Sequence, residues 1–181
     1  MKHASDREII REILNGNQEL FRILVDRYKN PVAAVIKGML GDCPEAEDIG
    51  QDTFISLFRT LANFRGESAL KTYLIRIAMN LSLNELKRRK RMLAKNVKMD
   101  SPENYVQLFE KPQQENRELA ESINMALEKL DSRQRSVFIL RIVEGYSTKE
   151  TADILHIPLG TVLSRLSRAM SEMKILLANE N

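Results

Sequence analysis

Thr161, Ser164, Arg165 and Arg168 fall on one side of a stretch whose apolar residues, Val162, Leu166 and Met170, recur at helical spacing. Arginines and hydroxyls are the groups that bond base edges and phosphates in a DNA major groove. The same face is otherwise an ordinary solvated one. A second cluster, Asp48, Gln51 and Asp52, shares a helix side with apolar Ile55 and with Arg59. Two carboxylates and an amide in that arrangement suit an arginine-bearing partner, or simply water. Between the two clusters, Lys71 to Lys98 holds nine Lys/Arg against one Glu, a net charge of +8. Its run Lys87-Arg88-Arg89-Lys90-Arg91 is either a solvated helix end or a track for phosphates. Catalytic and metal chemistry find little material. His3 and His156 lack a second ligand at useful spacing, so no metal and no cofactor is expected. A single cysteine, Cys43, excludes an internal disulfide, and its acidic neighbours Asp42 and Glu45 argue against a redox role.

The elements that must position these residues are helices. The chain has 181 residues, enough for one domain or two small ones, and 43% hydrophobics, too many for a disordered chain. Seven glycines and five prolines are about half the usual share, which favours long helices over a sheet with many turns. No apolar run is long enough to span a bilayer and no signal segment opens the chain, so a soluble protein of a reducing compartment is expected. Ser5 and Glu8 form a capping box before Ile9, Ile10, Ile13 and Leu14. A second helix is predicted from about Asn17, with a break or kink at Pro31. From Glu45, the residues Ile49, Phe54, Leu57, Phe58 and Leu61 make an inward face. The loop Asn63–Ser68 then leads to a stripe of Leu70, Tyr73, Leu74, Ile77 and Leu81. Between Met92 and Gln114 the periodicity vanishes and Pro102 and Pro112 punctuate polar sequence. A loop of that length inside one compact domain would be unusual, so the fold class is all-α in two small domains joined by a linker.

In the second domain Asp131 and Gln134 read as a cap and its partner for a helix with Val137, Phe138, Leu140 and Ile142 inside, ended by Gly145. Ser147 and Glu150 form another capping box, and Ala152 and Leu155 face inward after it. His156-Ile157-Pro158 makes a tight turn into a helix through Val162, Leu166 and Met170. A short helix with a small residue at its centre, a turn plugged by Ile157, and a longer helix with polar residues leading is the helix-turn-helix pattern.

Two longer motifs carry a family resemblance. Leu130 to Phe138 (LDSRQRSVF) and Gly160 to Ala169 (GTVLSRLSRA) resemble the fourth conserved region of bacterial sigma factors. Glu45 to Phe54 (EAEDIGQDTF) is similar to the acidic signature of their second region, and Phe64 to Ser68 with Tyr73 to Asn80 looks like the promoter-melting stretch after it. With these two domains and a short linker, the chain resembles the extracytoplasmic-function group.

The resemblance implies a dissociable specificity subunit of bacterial core RNA polymerase, without catalytic chemistry or a small-molecule substrate of its own. Residues 1–92 would be the region 2 domain, 93–114 the linker and 115–181 the region 4 domain. Asp48, Gln51, Asp52 and Ile55 would dock on the clamp helices of the polymerase β′ subunit, with the β flap as a further contact. Asn63, Arg65 and Ser68 would hold a flipped base of the −10 element, and Lys71, Arg76, Asn80, Arg88 and Arg89 would follow the single strand. Leu163, Ser164, Ser167 and Arg168 would face −35 base edges, with Thr161 and Arg165 on phosphates. Tyr73 stands where the family commonly has tryptophan, and its inward spacing favours packing over base stacking. Leu163 replaces a commonly basic residue, and leucine touches a thymine methyl rather than bonding guanine. Asp131 stands where proline is usual and should cap its helix. An anti-sigma factor is an implied partner, and location is expected in the cytoplasm, with a membrane anti-sigma able to hold the protein at the inner membrane face.

Two other classes compete. An autonomous helix-turn-helix regulator would bind duplex DNA without polymerase and would not need a basic helix beside an acidic docking face. A serine recombinase would need an activated serine in an α/β domain, whereas Ser5, Ser56, Ser68 and Ser82 all stand in helical context. The net charge of +3 hides opposed segments: −5 over Asp42–Asp52, +8 over Lys71–Lys98, −4 over Asp100–Glu121 and +2 from Arg133 onward, with the remaining residues adding +2. The acidic linker is either a solubilising tether or, as the resemblance implies, an RNA mimic in the polymerase exit path. With so small a net charge, the protein alone should bind DNA poorly and lose that binding steeply with salt.

Overall fold

The computed structural model describes residues 4–66, 68–96 and 114–178, and every regular element among them is helical. Ser5 opens α1 (Asp6–Leu14) with the expected reciprocal box: its Oγ takes the Glu8 N–H at 3.3 Å and its own N–H reaches the Glu8 carboxylate at 2.7 Å. A 3₁₀ turn over Gln18–Leu20 then delays α2, which spans Phe21–Leu40. Pro31 neither ends nor divides it. Val32, Val35, Ile36 and Met39 are buried just beyond the proline, and burying them outweighs the roughly 3 kcal/mol that an interior proline costs.

Proline at the first turn of α3 (Pro44–Thr60) sits where its missing N–H would have been unpaired anyway. The inward face of α3 is Ala46, Ile49, Thr53 and Leu57, one step round from the expected one. Phe54 is half-buried and Phe58 is exposed, its ring edge-on to Phe21 at 5.0 Å. Thr53 tolerates full burial because its Oγ1 donates to the Ile49 carbonyl at 2.7 Å. A 3₁₀ turn at Leu61–Asn63 and a short loop lead to α4 (Leu70–Asn96), whose 27 residues make a rod of about 40 Å. Helices α2, α3 and α4 pack pairwise around Leu24, Leu57, Leu74 and Met79, with α1 against α2.

The C-terminal half holds α5 (Gln114–Lys129), α6 (Ser132–Phe138), α7 (Thr148–Leu155) and α8 (Leu159–Ala178). Asp131 caps α6 by accepting the Arg133 N–H at 2.9 Å, without the reciprocal contact expected of Gln134. After Phe138 the chain widens into a π-helical turn, Ile139–Val143. That change of pitch swings Ile142 outward, to 49% exposure, against the inward position a 3.6-residue wheel assigns it. On α8, the buried residues are Val162, Ala169 and Met173, and Met170 is exposed. Steps of four residues drift by about 40° each, so the 162–166–170 row leaves the face that a seven-residue step keeps.

The two halves meet. Ile139, Leu140, Tyr146 and Ile154 are buried in the same apolar core as α2, α3 and α4. Arg135, 6% exposed, crosses between the halves and donates to the Met39 carbonyl at 2.7 Å, in the last turn of α2, as well as to the Glu128 carbonyl. Burial pushes its guanidinium down from the ordinary arginine value, opposed by Glu128 and Asp131. The expected linker falls mainly on residues 97–113, outside the described ones, with three of its six expected carboxylates, Asp100, Glu103 and Glu110; His3 and Glu67 lie outside them too.

Candidate functional site

Helices α7 and α8 meet through Ala152, Val137 and Val162, a small cluster in which a larger residue at 152 would force the helices apart. Ile157 and Leu166 close it from the side, so Ile157 does plug the turn. His156 takes the left-handed conformation there, φ +51°, which lets its N–H and that of Ile157 both reach the Ala152 carbonyl. Leu155 is only half-buried; Thr151 and Ile154 are the residues α7 buries completely.

This packing turns Leu163, Ser164, Ser167 and Arg168 to solvent, with Thr161 and Arg165 half-exposed. Leu163 is 56% exposed. Ser164 Oγ donates to the Thr161 carbonyl at 3.1 Å, which leaves its lone pairs facing outward. Among the described residues, no ion pair engages Arg165 or Arg168.

On α3, Asp48, Gln51 and Asp52 are all exposed and Ile55 is 46% exposed, with Phe58 beside them. Neither carboxylate joins an ion pair among the described residues, so the face is acidic with an apolar margin.

The loop between α3 and α4 is held from beneath. Tyr73 donates its hydroxyl to Thr60 Oγ1 at 3.1 Å and packs on Phe64 with ring centres 5.3 Å apart. Tyr73 is thereby a support of the loop. Asn63 and Arg65 stand exposed on it and Ser68 is half-buried. Gly66 has φ +70°, where any side chain would be strained. Arg7 of α1 reaches this loop, within 3.7 Å of where a Cβ of Gly66 would lie, a cation that sequence spacing gave no reason to place there.

Along α4 the expected strand-binding residues divide. Lys71 and Asn80 are exposed and Arg76 is half-buried. Lys71 Nζ lies over the Tyr146 ring, 5.3 Å from its centre. Glu85, the one carboxylate in the basic stretch, takes Arg88 bidentately at 2.7 and 2.8 Å and Arg89 at 3.0 Å. Their hydrogen bonds, Arg88's foremost, hold the Glu85 carboxyl below its usual range. Arg89 turns inward as well, to Cys43 Sγ at 3.0 Å and Glu45 at 3.3 Å. So Cys43 has a guanidinium against its sulfur, in addition to the acidic neighbours read from sequence. Lys87, Lys90 and Arg91 remain exposed.

Loop and helix-turn-helix face one another. Asn63, Arg65, Ser68 and Arg76 line one wall of a cleft of about 880 Å³, and Glu150, Asp153 and His156 line the other. Nearby, burial raises the Glu144 carboxyl, which Lys71 opposes, and pushes the Tyr146 hydroxyl up to about 12. Among the described residues, no group of three His, Cys, Asp or Glu could hold a metal ion, and no helix is long and apolar enough to cross a membrane.

Comparison with known proteins bears on these surfaces. The family model for sigma-70 region 2 matches residues 24–92 and that for sigma-70 region 4 matches residues 120–173. The chain is 30% identical over 177 residues to the RNA polymerase sigma-H factor of Pseudomonas aeruginosa, covering 93% of this chain and 92% of that one. It is 34% identical over 178 residues to the ECF RNA polymerase sigma-E factor of Escherichia coli K12, with coverage of 93% and 92%. Among solved structures, the sigma factor RpoE in complex with the anti-sigma factor NepR from Bartonella quintana superposes with a TM-score of 0.71 at 23% identity, covering 89% of this chain and 98% of that one. CnrH in complex with the cytosolic domain of CnrY gives 0.69 at 23% identity, covering 97% and 99%.

Proposed function

The chain belongs to the extracytoplasmic-function sigma factors of the sigma-70 family, and from that premise we propose how its surfaces divide the work of directing core RNA polymerase to promoters. The outer face of α8 reads the −35 element: Leu163, Ser164, Ser167 and Arg168 meet base edges, and Thr161 and Arg165 meet phosphates. The observation that carries this reading is a solvent-facing row of serines and arginines on the second helix of a helix-turn-helix, whose arginines join no ion pair among the described residues.

Asp48, Gln51, Asp52 and Ile55 dock on the β′ clamp helices, where unpaired carboxylates meet arginines in directional, charge-assisted bonds. The loop residues Asn63, Arg65 and Ser68 take a base of the melted −10 element. Lys71, Arg76 and Asn80 track its strand, with Arg88 and Arg89 at the far end, and Arg7 adds a cation at the loop. Regions 1–92 and 115–181 act as the two recognition domains and 93–114 as their tether. This assigns the chain recognition without catalysis. An anti-sigma factor is a fitting partner, since the superposable sigma factor RpoE was solved bound to the anti-sigma factor NepR. The protein would work in the cytoplasm, or at the inner membrane face when a membrane-bound anti-sigma holds it.

Run-off transcription with bacterial core polymerase over a promoter library tests the reading. Specific initiation only when this protein is present is expected. Tight duplex binding that gains nothing from polymerase would favour the autonomous regulator instead.

A further inference from the structure

The outer face of α8 is not uniform around the helix. We infer that it carries a second thymine-reading side chain, Leu159, which with Leu163 forms an apolar flank that recognises thymine methyls on one strand of the −35 element. This deepens the assignment of α8 to the −35 element made above and rests on it.

Helical spacing sorts the face into three strips. With buried Val162, Ala169 and Met173 marking the inward side, Gly160, Ser164 and Ser167 fall within about 40° of the outward direction. Arg165 and Arg168 lie on one flank of that strip, Leu159 and Leu163 on the other. Leu159 is 51% exposed and Leu163 56%, and one turn apart their side chains are neighbours. Leu159 is held in place. The carbonyl of Pro158, just before it, accepts the Thr161 and Val162 N–H groups at 2.9 and 3.1 Å and closes the first turn. Gly160 gives the helix room. A Cβ added there would meet nothing within 4 Å, and alanine would favour the helix, so the fold supplies no reason for glycine. At the centre of a face that enters a groove, a bare position lets the backbone approach the base pairs. That approach brings the two leucines to the base edges on their own flank. Of the groups a base pair shows in the major groove, the thymine methyl is the one an aliphatic side chain can cover without leaving a polar group unpaired. The methyl stands on its own strand's side of the groove. A flank on one side of the helix therefore selects thymines of one strand, while Arg165 on the opposite flank meets phosphates of the other. Leu159 precedes Leu163 by about 6 Å along the axis, under two base-pair steps.

The test uses holoenzyme made from bacterial core polymerase and the full chain. Its template is the strongest promoter recovered from a library randomised across the −35 element, rebuilt with each −35 thymine replaced singly by deoxyuridine, which lacks only the methyl. Thymine and deoxyuridine templates compete in one reaction at limiting holoenzyme and give run-off transcripts of different length. Two thymines of the same strand, within two base pairs of each other, should each lose about fourfold in relative initiation, the effect of burying one methyl. Leu159→Ala should remove the sensitivity at one of them and Leu163→Ala at the other, so that each pair of changes is non-additive. Both residues are exposed and alanine suits a helix, so the melting temperature should stay near the native one. A −35 element with no methyl-sensitive thymine, or with sensitive thymines on opposite strands, would overturn the inference. So would a Leu159→Ala variant that weakens initiation equally on both templates or leaves the sensitivity intact, since Leu159 then touches no methyl. In each of these cases specific initiation by the native chain leaves the −35 assignment of α8 standing. A library that yields no specific promoter would remove that assignment and the inference together.

Discussion

Replacing Leu163 by lysine tests whether α8 reads base edges at that position. The side chain is 56% exposed and belongs to none of the buried clusters, so the change should move stability by no more than about 0.5 kcal/mol. Leucine offers only contact with a thymine methyl. A lysine there can donate to guanine O6 and N7, worth about 1–3 kcal/mol of discrimination, or about 5- to 150-fold between bases. Run-off transcription over promoters randomised across the −35 element should show preference at one step moving from thymine to guanine, with its neighbours unchanged. An unaltered preference would refute the reasoning. So would uniformly stronger initiation with a salt dependence steeper by about one unit of log–log slope, because that places the new ammonium on a phosphate.

Reversing both charges, Asp48→Arg with Asp52→Arg, should weaken binding to core polymerase at least about tenfold, a loss of about 1.4 kcal/mol. Helical content and −35 binding should be unchanged, since both residues are exposed; lost helicity would make them structural instead. Asp131→Ala removes the acceptor for the Arg133 N–H and should cost about 1 kcal/mol, read as a lower melting temperature of the full chain. Glu85 gives a pH dependence. Its folded carboxyl is held below the ordinary 4.5 by Arg88 and Arg89, so its contribution is complete above the unfolded value and is lost as pH falls through the lower folded one. Far-UV circular dichroism followed as pH falls below 4.5 should therefore show α4 weakening, and Glu85→Gln should flatten that change.

What could be read from sequence was what depends on neighbours in the chain. The boxes at Ser5–Glu8 and Ser147–Glu150 and the cap at Asp131 need only residues two or three apart, and all three form. The outward faces of α3 and α8 follow from helical spacing, and they too lie where expected. Spacing failed where the helix itself changed. Ile142 faces out because Ile139–Val143 is π-helical, and Pro31 ends nothing because buried residues on its far side hold α2 together. It also failed where the partner is distant. Nothing near Arg135 announces that it will be buried against a carbonyl 96 residues away, and Arg89 reads as a surface cation although Cys43 and Glu45 draw it inward. The cleft between the loop and α7 belongs to this class, since it joins two faces that no local pattern relates.

The cations at the far end of α4 have a consequence for how the protein meets a cell full of RNA. Lys87, Lys90 and Arg91 are exposed and, among the described residues, join no ion pair, so they attract any phosphate backbone. That attraction is blind to sequence, and a transcript can satisfy it as well as a promoter can. Long residence needs base contacts as well, so stray RNA held by these three cations alone is met and released in rapid exchange.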